Sequence, residues 1–184
     1  METTCIALLR GVNVGGRNKL PMKQLVAIVE GIGGRQVRTY IQSGNVVFTA
    51  PSAIRRGAAA SISSAIEQQL DISTPVVLRT VEQLRHVVAA NPYLGPDQDE
   101  RALHVAFLAD PPRSEDVATL DEHRSPPDEF TLKGQEIYLR CPNGLARTKL
   151  SNSYFDSRLK TTSTVRNWRT TLKLLEFAEE LTAS

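Results

Sequence analysis

The segment Val37–Phe48, with the sequence VRTYIQSGNVVF, is the strongest indicator of the fold. Apolar and polar residues alternate on both sides of the dipeptide Ser43-Gly44, which is typical of two strands joined by a tight turn. A two-residue turn would place Ile41 opposite Val46 on a face covered by helices, and Tyr40 on the opposite face. The segment therefore predicts an antiparallel hairpin within a sheet that has helices on one side.

The elements around this hairpin follow the same order in both halves of the chain. In the first half, a short apolar strand ends at Leu9, a helix begins near Pro21, and a helical stripe runs from Ile54 to Leu70. In the second half, Lys133-Gly134 marks the corresponding hairpin turn. Each half thus has the order βαββαβ, so we expect an α+β protein of tandem ferredoxin-like halves with antiparallel sheets.

The connection between the halves is predicted from capping and linker signals. Thr80 and Gln83 have the spacing of a capping box, which indicates a helix over residues 80–90. The stretch 91–99 that follows is rich in Pro, Gly and Asp and is the best linker candidate. The expected domains are 1–90, the N-terminal ferredoxin-like half, and 91–184, the C-terminal half with an extra C-terminal helix.

The composition is that of an ordinary globular protein. Of the 184 residues, 41% are hydrophobic and 23% charged, and 22 Lys and Arg against 20 Asp and Glu give a net charge of +2. Two cysteines exclude a disulfide scaffold, and the three histidines lack metal-ligand spacing, so no metal site is expected. Without a signal peptide or a bilayer-length apolar stretch, we expect a cytoplasmic protein with no membrane partner.

Charge is unevenly distributed along the chain. Residues 1–50 carry six basic and two acidic groups, and residues 140–173 carry eight basic and one acidic group. Residues 97–129 carry three basic and ten acidic groups. The small net charge is therefore the sum of two basic regions and one acidic region. These regions either screen one another in the fold or attract charged partners.

The loop from Arg10 to Lys19, with the sequence RGVNVGGRNK, is the first candidate site. A glycine-rich loop between a strand and a helix can surround an anion with backbone N–H groups, but the same glycines also suit a simple tight turn. Gly16 is followed by Arg17-Asn18 instead of Lys and a hydroxyl residue, and the GxGxxG pattern is absent. The loop therefore predicts binding of an anion, with no nucleotide cofactor.

Two further candidates come from the hairpin and from the C-terminal region. An open sheet face bearing Tyr40 could stack nucleic-acid bases if the second half leaves that face uncovered. The stretch Thr161–Arg169 combines four consecutive hydroxyl residues with cations, and Arg166 and Asn167 are predicted in the first turn of the last helix. Because cations there oppose the helix dipole, a nearby anion would stabilise them.

Three blocks together resemble the bacterial family called domain of unknown function 1697. They are ALLRGVNVGGRNKLPM from residue 7, VRTYIQSGNVVF from residue 37 and TTSTVRNWRTTLKL from residue 161. The resemblance implies an α+β fold of two ferredoxin-like halves and no established activity. The family usually has Ser-Lys-Leu where this chain has Thr148-Lys149-Leu150. It commonly has Thr-Thr-Arg-Asn-Trp-Asn, and here Arg169 replaces the last asparagine.

The three blocks contain no Asp, Glu or His, which acid–base and metal chemistry normally require. We therefore expect a binding protein for a phosphate-bearing small molecule or nucleic acid. The alternatives are an enzyme that uses Tyr40 or Lys149 as acid or base on a phosphorylated metabolite, and an interaction scaffold. We further expect Arg17 and Arg166 to share one surface. The candidate ligand-binding residues are Arg10, Asn13, Gly15, Gly16, Arg17, Lys19, Tyr40, Ser43, Asn45, Lys149, Arg166 and Asn167.

Overall fold

The computed structural model describes residues 2–183, and over this range the chain is an α+β protein with two four-stranded antiparallel sheets and seven α-helices. No helix in this range is both long and apolar enough to cross a bilayer. The strands are β1 (Glu2–Leu9), β2 (Arg35–Tyr40), β3 (Asn45–Pro51), β4 (Val76–Thr80), β5 (Leu103–Leu108), β6 (Glu129–Lys133), β7 (Glu136–Arg140) and β8 (Ser163–Asn167). The helices are α1 (Met22–Gly31), α2 (Ser52–Arg55), α3 (Ala58–Leu70), α4 (Val81–Ala89), α5 (Ser114–Val117), α6 (Asn152–Leu159) and α7 (Trp168–Ala183).

The chain divides into two compact units. The first unit consists of Met1–Arg85 and Lys173–Ser184, and the second of His86–Leu172. We had expected domains 1–90 and 91–184, with the whole of the last helix in the second. The end of α7 instead groups with the first unit, because the Phe177 ring contacts Tyr40 and the Glu180 carboxylate pairs with Arg38.

The first unit has the strand order β2-β3-β1-β4, with α1 and α3 packed on one face of the sheet. Alternate residues of β1 and β3 point into this core, and α3 adds one stripe of apolar residues to it. The core members shared by these strands and helices are Cys5, Ala7, Leu9, Leu25, Ile28, Val29, Val46, Phe48, Ala50, Ala58, Ile62 and Ile66.

The second unit has the corresponding order β6-β7-β5-β8. Its core joins alternate residues of β5 and β7 to α6, which begins at a Ser151 cap whose Oγ accepts a hydrogen bond from the Tyr154 N–H. The Phe155 ring packs edge to face against Phe130 with a centroid separation of 5.7 Å. The second unit thus buries its own apolar cluster.

The predicted hairpin forms, but its turn is longer than expected. Tyr40 lies opposite Asn45, so the turn contains the four residues from Ile41 to Gly44 instead of Ser43-Gly44 alone. The register differs from the prediction by two residues, an even shift that leaves Tyr40 on its predicted face. Ile41 was predicted on the helix-covered face, and this is wrong: it lies in the turn with 53% of its surface exposed.

The start of the last helix also differs from its prediction. Residues Ser163–Asn167 form strand β8, and α7 follows directly at Trp168 with no linking residue, as α4 follows β4 at Val81. Asn167 is the helix cap, since its Oδ1 accepts a hydrogen bond of 2.7 Å from the Thr170 N–H. The prediction that Arg166 and Asn167 lie in the first turn of the helix is therefore wrong, because both belong to β8.

Candidate functional site

The glycine-rich loop after β1 is a small hairpin stabilised by its own hydrogen bonds. The Asn13 N–H donates to the Asn18 carbonyl over 3.0 Å, and the Arg17 N–H donates to the Val14 carbonyl over 3.1 Å. Gly15 and Gly16 form the two-residue turn with φ of 59° and 76°, a pair of values that glycine adopts without strain. Two of the N–H groups predicted to surround an anion are therefore used within the loop.

Asn13 connects this loop to the β2–β3 turn. Its Nδ2 donates to the carbonyls of Leu20 and Gln42 over 2.9 and 2.7 Å, and its Oδ1 accepts from the Leu20 N–H over 2.9 Å. Gly44 completes the junction, because a Cβ at this position would lie 2.5 Å from the Val12 Cγ2. We call the two joined segments, residues 10–19 and 41–44, the loop corner.

The β2–β3 turn has internal hydrogen bonds as well. The Asn45 Nδ2 donates to the Tyr40 carbonyl and to the Ser43 Oγ, both over 3.3 Å. Asn45 is fully buried, and Ser43 is partly buried. Asn13, Ser43 and Asn45 were predicted as ligand-binding residues, and in the structure each makes hydrogen bonds that hold the loop corner together.

The outer surface of the loop corner is both basic and apolar. Val14 and Ile41 are large hydrophobic residues with 64% and 53% of their surface exposed. Within residues 2–183, Leu94 is the only other large hydrophobic residue that is exposed. Arg17 and Lys19 are exposed, and neither forms an ion pair with a carboxylate of the described chain. Ile41 also has a φ of 50°, a conformation that a β-branched residue rarely adopts. The loop corner thus presents two unneutralised cations beside two apolar side chains.

Tyr40 lies on a sheet face that is covered, not open. Its ring packs edge to face against Phe177 at the end of α7, with a centroid separation of 5.8 Å. On the same face the Arg38 Nη1 donates to the Glu180 Oε2 over 2.7 Å, and the Thr4 and Thr182 hydroxyls lie 2.9 Å apart. The end of α7 therefore covers the sheet face that base stacking would require to be open.

The predicted site residues of the second unit have different environments. Lys149 is exposed, and Asn167 is the exposed cap of α7. Arg166 is only 9% exposed, and its Nη1 donates to the Thr164 Oγ1 and to the Val165 carbonyl, each over 2.8 Å. Burial lowers the pKa of Arg166 to about 10. This burial removes the reason for placing Arg166 on an exposed basic surface with Arg17.

The first unit contains a cavity that the sequence did not indicate. Its volume is about 530 Å³, and its buried lining includes Thr4, Thr49 and Leu181, with the carboxylates of Glu2 and Glu82 at its rim. Glu2 pairs with an exposed arginine of β2 over 2.7 Å. The excess of carboxylates makes this cavity unsuited to a phosphate.

The two cysteines are buried free thiols. Both Cys5 and Cys141 have no exposed surface. Burial raises the pKa of each thiol to about 11, so both are protonated at neutral pH. Residues 2–183 also contain no cluster of three or more His, Cys, Asp or Glu that would hold a metal ion.

A family model described as protein of unknown function (DUF1697) matches residues 1–138. The chain belongs to this family. The resemblance carried by the sequence motifs is thereby confirmed. A solved structure of conserved bacterial protein SP0830 from Streptococcus pneumoniae is similar to this chain, with a TM-score of 0.67 and 19% sequence identity. The match covers 97% of this chain and 99% of that one, and at this identity it shows the fold alone. No curated protein matches the sequence.

The structure explains two of the motifs that carried the DUF1697 resemblance. The RGVNVGGRNK and YIQSGN segments are not separate sites, because Asn13 and Gly44 join them into the loop corner. Both segments lie within the residues that the DUF1697 model matches. The Thr161–Arg169 segment lies beyond the match and forms β8 and the start of α7.

Proposed function

We propose that the protein binds nucleic acid through the loop corner, and that it is a binding protein instead of an enzyme. The proposal rests on one observation: Arg17 and Lys19, which form no ion pair within the described chain, lie in the loop corner together with the exposed Val14 and Ile41. Cations of this kind neutralise backbone phosphates and release counterions, which supplies most of the affinity for nucleic acid.

The apolar side chains favour nucleic acid over a small phosphorylated compound. Val14 and Ile41 offer no hydrogen bond, and an isolated phosphate would gain nothing from contact with them. Sugar and base edges beside a phosphate provide apolar surface, and several proteins insert aliphatic side chains between bases. A ligand that carries phosphates and apolar surface together therefore fits the loop corner best.

The charges of residues 3–29 support the same proposal. This segment contains the four cations Arg10, Arg17, Lys19 and Lys23 and no Asp or Glu. The acidic stretch 97–129 was the basis of the scaffold alternative, and several of its carboxylates pair with arginines of their own unit, among them the Asp99, Asp116 and Glu129 carboxylates. Arg17 and Lys19 form no ion pair within residues 2–183, so the partner that they suggest is an anion.

We further propose that the two units are tandem ferredoxin-like repeats. The support comes from the equivalent strand orders and from the buried arginine near the end of each last strand. Arg79 lies opposite Ile6 in the first unit, as Arg166 lies opposite Val105 in the second. Each guanidinium donates to the carbonyl of the preceding residue over 2.8 Å. The two units would then be two copies of one fold within a single binding protein.

The experiment measures binding to short single- and double-stranded DNA and RNA by fluorescence anisotropy at several salt concentrations. Arg17→Ala and Lys19→Ala should each flatten the plot of log K against log salt by about one unit. Val14→Ser should weaken binding by up to about tenfold without changing the slope, because it removes apolar contact but no charge.

Arg35→Ala is the matched control. It removes one positive charge from the first unit at the opposite end of β2, where Arg35 pairs with Glu2, and it should leave the slope unchanged. No binding to any of the four nucleic acids at low salt would overturn the proposal. Preferential binding to phosphatidylserine vesicles would also overturn it and would assign the loop corner to a membrane surface.

A further inference from the structure

The second unit contains a small cavity where β5 and α7 both begin. Its volume is about 200 Å³, and it is lined by Glu100, Arg101, His104, Asn167 and Arg169. His104 and Asn167 lie directly opposite each other in the register of β5 and β8. We propose that this cavity binds the phosphate group of a small phosphorylated compound, with a protonated His104 and Arg169 as its cationic ligands.

The His104 ring supplies the first argument. Only 7% of His104 is exposed, and its Nδ1 lies 3.2 Å from the Ala102 carbonyl. Because a carbonyl only accepts, Nδ1 carries the hydrogen, and the remaining nitrogen is Nε2. Nε2 has no hydrogen-bond partner within residues 2–183. The atom is accessible from the cavity, since the Arg55 Nε is the only buried side-chain nitrogen or oxygen without a partner in this range, and a ligand in the cavity can therefore hydrogen-bond to Nε2.

The start of α7 supplies the second, independent argument. This helix has 16 residues and no acidic residue in its first turn. Arg169 occupies that turn, where its charge opposes the positive end of the helix dipole, and it pairs with no carboxylate of the described chain. An anion in the cavity would neutralise Arg169 and interact favourably with the helix dipole at the same time.

The remaining charges determine when the anion binds. The Glu100 carboxylate opposes it, and the Arg101 guanidinium is already held by both oxygens of Asp99. Arg169 alone therefore gives the cavity a weak attraction for a phosphate while His104 is neutral. Burial lowers the pKa of His104, and a bound anion favours the protonated ring, so anion binding and proton uptake at His104 promote each other.

Phosphate binding is coupled to protonation of His104. Phosphate binds with uptake of one proton at Nε2, which then donates a hydrogen bond to a phosphate oxygen while Nδ1 still donates to Ala102. By linkage, tighter binding to the protonated form must raise the His104 pKa by the logarithm of the affinity ratio. None of these residues belongs to the loop corner, so this proposal does not depend on nucleic-acid binding.

The test is a proton NMR pH titration of the three histidines, His86, His104 and His123, in the full chain. It compares saturating inorganic phosphate with sodium chloride at equal ionic strength. Phosphate should raise the His104 midpoint by about one pH unit, which corresponds to tenfold tighter binding to the protonated form, and should leave His86 and His123 unchanged. Acetate at equal ionic strength should move the His104 midpoint much less.

Arg169→Gln should abolish the phosphate-dependent shift. Arg158→Gln is the matched control, because it removes one positive charge from an exposed helical position of the same unit and should preserve the shift. The proposal is overturned if the His104 midpoint does not respond to phosphate, or if all three histidines shift together. A shift that persists in Arg169→Gln, or an equal shift with acetate, would also overturn it.

Discussion

Asn13 is the residue whose replacement tests the structural account of the loop corner most directly. Its amide group makes three hydrogen bonds, two to Leu20 and one to Gln42, and its backbone has a φ of 54°. Each bond contributes about 1 kcal/mol net, and alanine at a left-handed φ costs about 1 kcal/mol. Because the contact with Gln42 is exposed, we expect Asn13→Ala to lower the free energy of unfolding by about 3 kcal/mol.

The measurement is urea unfolding followed by far-UV circular dichroism and by tryptophan fluorescence. With an m-value of about 2 kcal/mol/M, the loss lowers the midpoint by about 1.5 M without changing the slope. Trp168 is the single tryptophan and begins α7 in the second unit. If the units unfold separately, the early transition appears in circular dichroism while the fluorescence midpoint stays unchanged.

Asn18→Ala is the matched control for Asn13→Ala. Asn18 has a similar φ of 49°, but its side chain makes one bond, from Nδ2 to the Gly11 carbonyl over 3.0 Å. We expect this variant to lose about 1.5 kcal/mol, because it loses one bond and incurs the same backbone strain. Equal losses for the two variants, or a loss below about 0.5 kcal/mol for Asn13→Ala, would refute the role assigned to the Asn13 amide.

Two further predictions concern the turn and the buried histidine. Gly44→Ala places a Cβ 2.5 Å from the Val12 Cγ2 and 2.7 Å from the Leu9 Cβ at a φ of 70°, so it should lower the free energy of unfolding in urea by about 2 to 5 kcal/mol. The control Gly134→Ala, with a φ of 61° and no atom nearer than 4.0 Å, should lower it by about 1 kcal/mol. Equal losses for the two variants would exclude the clash at Gly44. The pKa of His104 is lowered by burial, so the unfolded chain takes up its proton first as the pH falls below 6.5. In phosphate-free buffer the stability should therefore fall between pH 7 and 5.5, and His104→Gln should flatten this decline; an unchanged decline would argue against a neutral buried imidazole.

The sequence predicted elements well where local signals agree with tertiary packing. Strand β1 ends at Leu9 and helix α3 ends at Leu70, as the apolar run and the helical stripe predicted. The capping box is also confirmed: the Thr80 Oγ1 accepts from the Gln83 N–H over 3.2 Å, and the Thr80 N–H donates to the Gln83 side chain over 2.9 Å.

The errors occurred where polar residues or distant contacts set the structure. Strand β8 buries Ser163, Thr164 and Arg166, which are polar, so a search for apolar periodicity placed its last two residues in a helix. The exposure of Ile41 depends on a turn that is held in part by the amide of Asn13, which no local pattern around Ser43-Gly44 reveals.

The candidate sites also differ in whether a local sequence pattern reveals them. The basic loop was visible as a sequence motif, because its cations and glycines are contiguous. The cavity around His104 was not, since its walls come from the start of β5 and the start of α7, more than 60 residues apart in the chain. One sequence observation did indicate this region: a cation in the first turn of the last helix would be stabilised by a nearby anion.

The direct passage from β8 to α7 restricts how the chain can change length. One residue inserted between Asn167 and Trp168 would rotate every later helical side chain by about 100° relative to the strand. The buried positions of Leu174 and Leu181 would then be occupied by Lys173 and Glu180. Insertions are tolerated far better in the irregular stretch 91–99, so evolutionary drift in length should accumulate there while the strand–helix junction keeps its residue count.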